Sequence, residues 1–287
     1  MTRIVVAGDV MRDVVATLGA PLAHGSDTPA WIAERGGGSA ANVAAWLARA
    51  GAAVTLIGRV GDDAAGRALA EELRGEGVAL RLGVDPDRPT GTCLVLVEPG
   101  GERTMLPDPG ANAALEPAPL PADAAHLHVA GYALLNPGAR AAARALLAEA
   151  RARGVPVSVD PSSAAPLATV GAAAFLAWVK GIDLLLPNRD EAAVLTGVSE
   201  PEAAARALTE HAREVVVTLG AGGALWTDGR EVVRAPAAPV AEADSTGAGD
   251  AFSAGVLAAR LAGAPPAAAL RAGCATAAQA VARPGGR

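Results

Sequence analysis

Apolar and polar positions along the chain repeat in two alternating rhythms. Short apolar runs, "RIVVAG" (3–8), "AVTLIG" (53–58), "HLHVAG" (126–131), "VPVSVD" (155–160), "DLLLPN" (183–188) and "EVVVTLG" (214–220), predict buried β-strands. Between or after them lie "SAANVAAWLARAG" (39–51), "DAAGRALAEELRGEG" (63–77), "GARAAARALLAEARARG" (138–154), "EPEAAARALTEHA" (200–212) and "AGDAFSAGVLAARLAG" (248–263). Each has apolar residues at three- and four-residue spacing, and most end in glycine, so each predicts a helix. Strand–helix alternation implies parallel βαβ units, hence an α/β fold with a mostly parallel central sheet flanked by helices. No internal repeat or disordered linker interrupts the rhythm, so 1–287 reads as a single α/β domain.

Two regions depart from it. Residues 14–35 and 90–106 read as extended segments without partner helices, the second a hairpin turned at "EPGGE". Inserted strands beside such a sheet can form a small β-strand lid. Ligands in open α/β sheets sit at the carboxyl ends of the strands, where a lid would cover them.

The 51 % hydrophobic content of 287 residues suits one large core. Lys180 is the only lysine and the net charge is −6, so no basic stripe offers itself to nucleic acid. The run "GAAAFLAWVKGIDLLLP" is broken by Lys180 and Asp183, which argues against a bilayer span. The amino-terminal apolar run is too short for a signal-peptide core. Cys93 and Cys274 lie far apart without metal-ligand spacing, which fits a reducing cytoplasm.

Familiar nucleotide and hydrolase signatures fail. No Gly-Lys-Ser/Thr is present, "GAGDAF" ends in Phe252 where a dinucleotide turn needs Gly or Ala, and "GGSAA" lacks the second glycine of a nucleophile elbow. His24, His126, His128 and His211 form no metal pattern. What stands out is "DSTGAGDAF" (244–252). If a helix begins near Gly249, the amides of Gly247, Ala248 and Gly249 lie at its positive end without obstructing side chains. That is an anion site suited to a transferring phosphoryl group. An acid there, Asp250, would repel phosphate unless its task is to take a proton from an attacking hydroxyl. The helix dipole should keep it ionised and weakly basic, which suffices for a loose transition state. A helix cap preceded by glycine is the structural alternative. Elsewhere, Gly37-Gly38 lets the backbone approach a ligand closely, and Asn42 offers both donor and acceptor.

"DSTGAGDAFSAG" resembles the carboxyl-terminal signature of the ribokinase-like (PfkB) carbohydrate kinase family, whose core is D-T-x-G-A-G-D. "GGSAANVAAWLARAG" (37–51) is similar to its amino-terminal signature. "GRVGDDAAGRAL" (58–69), the lid pair "TGTCLVLVEPGGERTML" and the N-x-x-E element in "PNRDEAAVLTG" (187–197) follow in order. The resemblance implies transfer of the ATP γ-phosphoryl group to an alcohol of a sugar or nucleoside, with Mg²⁺. It makes Asp250 the base and Gly247, Ala248 and Gly249 the anion hole. It assigns Asp13, Gly37, Gly38 and Asn42 to substrate, and Asn188 and Glu191 to magnesium and phosphate. Thr218, Gly220 and Gly222, in "VTLGAGGALW" (217–226), would border the nucleotide. In several members a monovalent cation such as K⁺ sits beside the anion hole; Asp244 and the "RPGG" stretch (283–286) are the places for one here.

Trp31 and Arg103 on the lid are further candidates for substrate contact, and Arg103 could pair with the carboxylate of a sugar acid. With one Tyr, two Phe and four Trp, few rings are present to stack on a base. The expected acceptor is therefore a sugar or sugar acid, with a nucleoside kinase of the same family as the alternative. A non-catalytic sugar or nucleotide sensor is the rival of another class, and a nicotinamide-dependent oxidoreductase a third. Exposed lid strands suggest a homodimer.

Overall fold

The computed structural model describes residues 3–100, 102–240, 245–282 and 285–287. The first half of the chain contributes β1 (Arg3–Ala7), β2 (Met11–Leu18), β3 (Ala30–Gly37), α1 (Ser39–Arg49), β4 (Ala53–Gly61), α2 (Ala64–Gly75), β5 (Ala79–Asp85), β6 (Gly91–Val97) and β7 (Arg103–Asp108). Next come β8 (Ala124–Ala130), α3 (Tyr132–Leu135), α4 (Arg140–Ala152), β9 (Val157–Asp160), α5 (Ala164–Val170), α6 (Ala172–Val179) and β10 (Ile182–Leu185). The remainder is α7 (Arg189–Thr196), α8 (Pro201–Leu208), β11 (Ala212–Thr218), β12 (Ala224–Thr227), β13 (Val232–Ala235), α9 (Ala248–Leu261) and α10 (Pro266–Val281).

Nine strands form one sheet in the order β13-β12-β11-β10-β9-β8-β1-β4-β5, parallel from β11 to β5 with an antiparallel β12–β13 edge. Its strands are apolar on both faces because both are covered. Val5 and Ala7 of β1 pack into the cluster that holds α4 to α8, while Ile4 and Val6 pack into the opposite cluster with α1, α9 and α10. The four-stranded sheet β3-β2-β6-β7 is separate. It contains the predicted lid segments, and its strands begin three residues earlier, at Met11, and run on to Gly37 and Asp108. The hairpin joining β6 to β7 closes with Glu98 N–H donating to Glu102 O at 2.9 Å.

Several elements differ from the expected pattern. The helix predicted over 200–212 stops at Leu208, because Ala212 already belongs to β11. Helices α5, α6 and α10 and strands β5 and β13 were not singled out by the periodicity. In α10 the reason is compositional: alanine weakens the contrast between faces, and Gly273 sits inside the helix. A Cβ on Gly273 would meet Val256 Cγ2 at 2.7 Å and Phe252 Cε2 at 2.8 Å, so the glycine lets α9 and α10 pack closely.

His126 and His128 lie inside the sheet and share the Ser158 hydroxyl, at 2.8 and 2.9 Å. Burial pushes them down to about 4 and about 3, which keeps both neutral. They are packing residues.

Candidate active site

The carboxyl ends of β1, β8, β9, β10 and β11 open into a cavity of roughly 550 Å³, walled on its far side by the four-stranded sheet. Asp9, Asp160, Asn188 and Thr218 come from the strand ends; Met11, Asp13, Cys93, Val95, Met105 and Pro107 come from the small sheet. Gly38, Ser39 and Asn42 enter from α1, and Ser245 to Gly247, Gly249, Asp250 and Ser253 from the start of α9.

Gly247 caps α9 in the left-handed region, φ 71° and ψ 3°. A Cβ there would meet the Gly286 Cα and O at 2.5 Å, so glycine is required twice over. Ala248 N–H makes a long turn contact to Ser245 O at 3.3 Å. The amides of Gly247 and Gly249 have no hydrogen bond of this kind among the described residues. A first-turn helix amide also lacks an intrahelical partner. Gly249 has open space where a Cβ would stand. The expected three-amide anion hole is therefore two open amides, with a third partly engaged.

Asp250 accepts from Ser39 Oγ at 2.7 Å and from Asn42 Nδ2 at 2.8 Å. The expectation that the helix dipole keeps it weakly basic does not hold. Burial, reinforced by Asp160 and Asp9, pushes its carboxyl up to about 8, and the Ser39 and Asn42 bonds only partly counter this. Desolvation acts on the whole charge, whereas the dipole of one helix end is worth a fraction of a charge.

Asn42 is 4 % exposed and uses both ends of its amide: Nδ2 on Asp250, and Oδ1 accepting from Arg287 Nη1 at 3.4 Å. Its amide holds Asp250 and also lines the cavity. Asp13 lines the cavity from β2, and Gly37 lies against its carboxylate so closely that any Cβ would displace it. Gly38, at φ 93°, turns the chain into α1, and a Cβ there would meet Asp9 O at 2.6 Å.

Asn188 and Glu191 form a reciprocal capping box on α7. Asn188 Oδ1 accepts from the amides of Asp190 and Glu191, and Glu191 Oε2 accepts from Asn188 N at 2.9 Å. Glu191 is 2 % exposed, and burial with the nearby Asp160 pushes it up to about 8. Thr218 ends β11 beside Asn188, its N–H donating to Pro187 O at 3.1 Å. Gly220 and Gly222 form the turn that follows and do not line the cavity.

Arg103 does not line the cavity either. Its Nη1 donates to Ser245 Oγ at 3.1 Å and Thr246 Oγ1 at 3.0 Å, tying β7 to the loop that enters α9. Trp31 is 68 % exposed, away from the lining. Asp244 lies outside the described residues, as do 283 and 284 of the "RPGG" stretch.

Sequence reasoning missed Asp160 and Ser162. Asp160 accepts from Ser162 N at 2.8 Å and from Ser253 Oγ at 3.2 Å, and burial pushes it up to about 6. Ser162 is the one non-glycine residue at positive φ, 71°, among the described residues. An acid that closes a buried strand run, as in "VSVDPSS", marks a strand's carboxyl end and was the available signal.

Comparison with known proteins accords with this geometry. The description "pfkB family carbohydrate kinase" matches residues 1–287. The 2-dehydro-3-deoxygluconokinase of Thermoproteus tenax is 33 % identical over 282 residues, 93 % of this chain and 84 % of that one. Adenosine kinase from Sinorhizobium meliloti has a similar structure, with a TM-score of 0.89 at 26 % identity, covering 100 % of this chain and 95 % of that one. A fructokinase double mutant from Vibrio cholerae O395, with fructose, ADP and potassium ion bound, gives 0.83 at 29 % identity, covering 100 % and 94 %. The chain belongs to the pfkB family of carbohydrate kinases.

Proposed function

We propose that this kinase transfers the γ-phosphoryl group of ATP to a hydroxyl of an uncharged sugar. Asp250 takes the hydroxyl proton while the open amides at the start of α9 steady the phosphoryl charge. The observation that carries this reading is the placement of Asp250. Its carboxyl reaches the cavity one residue beyond the side-chain-free Gly249 amide, held by two neutral donors and not by a cation. A carboxylate so held can accept a proton, and a buried one is a stronger base than one in water.

Asp13 suits paired hydroxyls of the acceptor. An uncharged sugar is favoured over a sugar acid on two grounds. Asp9, Asp160, Glu191 and Asp250 all line the cavity, and Arg103, the candidate for a carboxylate, is engaged by Ser245 and Thr246. A nucleoside is the second reading, favoured by the aliphatic wall of Met11, Val95, Met105, Leu115 and Leu135 and by the likeness to an adenosine kinase.

The residues present fit a magnesium ion held through water and phosphate. Asp160 raises the affinity of Glu191 for a proton, a repulsion that a divalent cation would relieve, and Asn188 and Glu191 would hold it. When bound it would neutralise phosphate charge. Among the described residues no group of three acidic, His or Cys side chains is arranged to ligate a metal directly. Potassium is a further cofactor candidate, from the ion bound to the Vibrio cholerae fructokinase.

An assay coupled to ADP release, run with and without K⁺ over matched sugars, sugar acids and nucleosides, tests the proposal. Turnover is expected with a neutral sugar; no turnover with any acceptor would sink it.

We further propose that the β3-β2-β6-β7 sheet closes on the acceptor. Protease cleavage within it is expected to slow at saturating acceptor, and equal cleavage with and without acceptor would count against closure. Its outer face, with Ile32, Leu94 and Leu106, offers a homodimer contact, which sedimentation velocity would detect. No described helix is long and apolar enough to cross a membrane, and the proposed compartment is the cytoplasm, where ATP is available.

A further inference from the structure

Arg287 lies outside every motif in the sequence, yet its side chain is 1 % exposed. Its Nε donates to Glu72 Oε1 at 2.9 Å, and its Nη1 donates to Gly37 O at 3.2 Å and to Asn42 Oδ1 at 3.4 Å. The glycine at position 36 makes room for it, since any Cβ there would run into the guanidinium. Gly286 beside it accepts from Trp46 Nε1 at 3.1 Å and packs flat on Asn42. The neighbouring residues on α1, α2 and β3 thus form a seat for this arginine.

The seat has a chemical consequence for Asn42. An amide presents a donor at one end and an acceptor at the other, and a guanidinium can only donate. With Arg287 on one side, the amide is stable only with Oδ1 toward Arg287 and Nδ2 toward Asp250. Turned over, it would set NH₂ against a cation and a carbonyl oxygen against a carboxylate. We infer that Arg287 is a positioning residue of the phosphoryl-transfer site: by fixing the Asn42 amide, it holds Asp250 as the hydrogen-bonded carboxylate. This rests on the reading of Asp250 as the base.

The other groups around Asp250 show why that donor matters. Asp9, which follows β1, and Asp160, which ends β9, favour the neutral form of Asp250, and Asp250 in turn favours the neutral forms of Glu191 on α7 and Tyr132 on α3. Among the described residues only Ser39 and Asn42, both on α1, donate to it. Ser39 has no cation behind it among the described contacts; Asn42 has Arg287.

The test compares wild type, Arg287→Met, Arg287→Gln and Arg287→Lys in kcat/KM against pH, with thermal melts alongside. Removing the cation is expected to move the lower pH limb upward by about one unit, the size of a lost charge-assisted bond. kcat at pH 7 should fall about tenfold, with the KM for ATP little changed. Lysine, which also only donates, should return the limb most of the way. Arg287→Gln reads the same quantity if the Met variant does not fold. A limb that stays in place in every folded variant, or an equal loss at all pH values, overturns the inference. A lower limb that persists in Asp250→Asn would instead remove the base reading on which it rests.

Discussion

Asp250→Asn is expected to lower kcat by at least ~10², the range a general base supplies, while the acceptor KM stays within a few-fold. The asymmetry follows from where the group acts. Asp250 is held by Ser39 and Asn42, which are groups of the protein itself, so its loss is expected to remove proton transfer and leave the cavity walls intact. The same change should stabilise the fold in mild base. The folded carboxyl sits at about 8, above its ordinary 3.8, so the stability it contributes is fully present below about pH 4 and lost as pH rises through 8. At pH 9 the wild type keeps a buried charge that asparagine lacks. A higher Tm for Asp250→Asn at pH 9, narrowing toward pH 5, is the expected result of paired melts. Unchanged kcat would show that the proton goes elsewhere.

Gly247→Ala carries the second large effect. The residue sits at φ 71°, where a Cβ costs about 1–2 kcal/mol, and the added methyl would meet Gly286 backbone at 2.5 Å. Backbone cannot swing aside as a side chain can, so the loop or the 285–287 segment must move. A displacement of about 1 Å at a reacting centre can cost on the order of 10²-fold in rate. The expected outcome is a kcat loss of at least ~10-fold together with a lower Tm. Gly249→Ala separates the two causes. Gly249 meets nothing within 4 Å and is not at positive φ, so the fold should be unaffected. Its methyl would project where phosphate is proposed to bind, so ATP use should still suffer. Full activity in Gly249→Ala would argue that no anion approaches these amides.

The parallel sheet was legible because its central strands are short and mostly apolar runs, as in "RIVVAG". The start of α9 was legible because two glycines, two alanines and two acids in nine residues fit few local structures. Helix α10 was not, since its close approach to α9 depends on Gly273 facing Phe252, a tertiary contact between two helices that neither helix's own pattern shows. Arg103 was assigned to substrate because a hairpin gives no hint of what its side chain meets, here Ser245 and Thr246 more than a hundred residues on. The ionisation of Asp250 was misjudged for the same reason. The helix dipole can be read from local sequence, while desolvation by burial and the charges of Asp160 and Asp9 cannot. Asn188 and Glu191 were placed at the cavity, but their first use is to cap α7.

The most direct test of Asp250 as the base is the pH dependence of kcat/KM for a neutral acceptor, which reports ionisations of the free enzyme. The account predicts a tenfold fall per pH unit below an ionisation near 8, and its disappearance in Asp250→Asn. A profile flat from about pH 5.5 to 9, or a limb that survives the substitution, would contradict it.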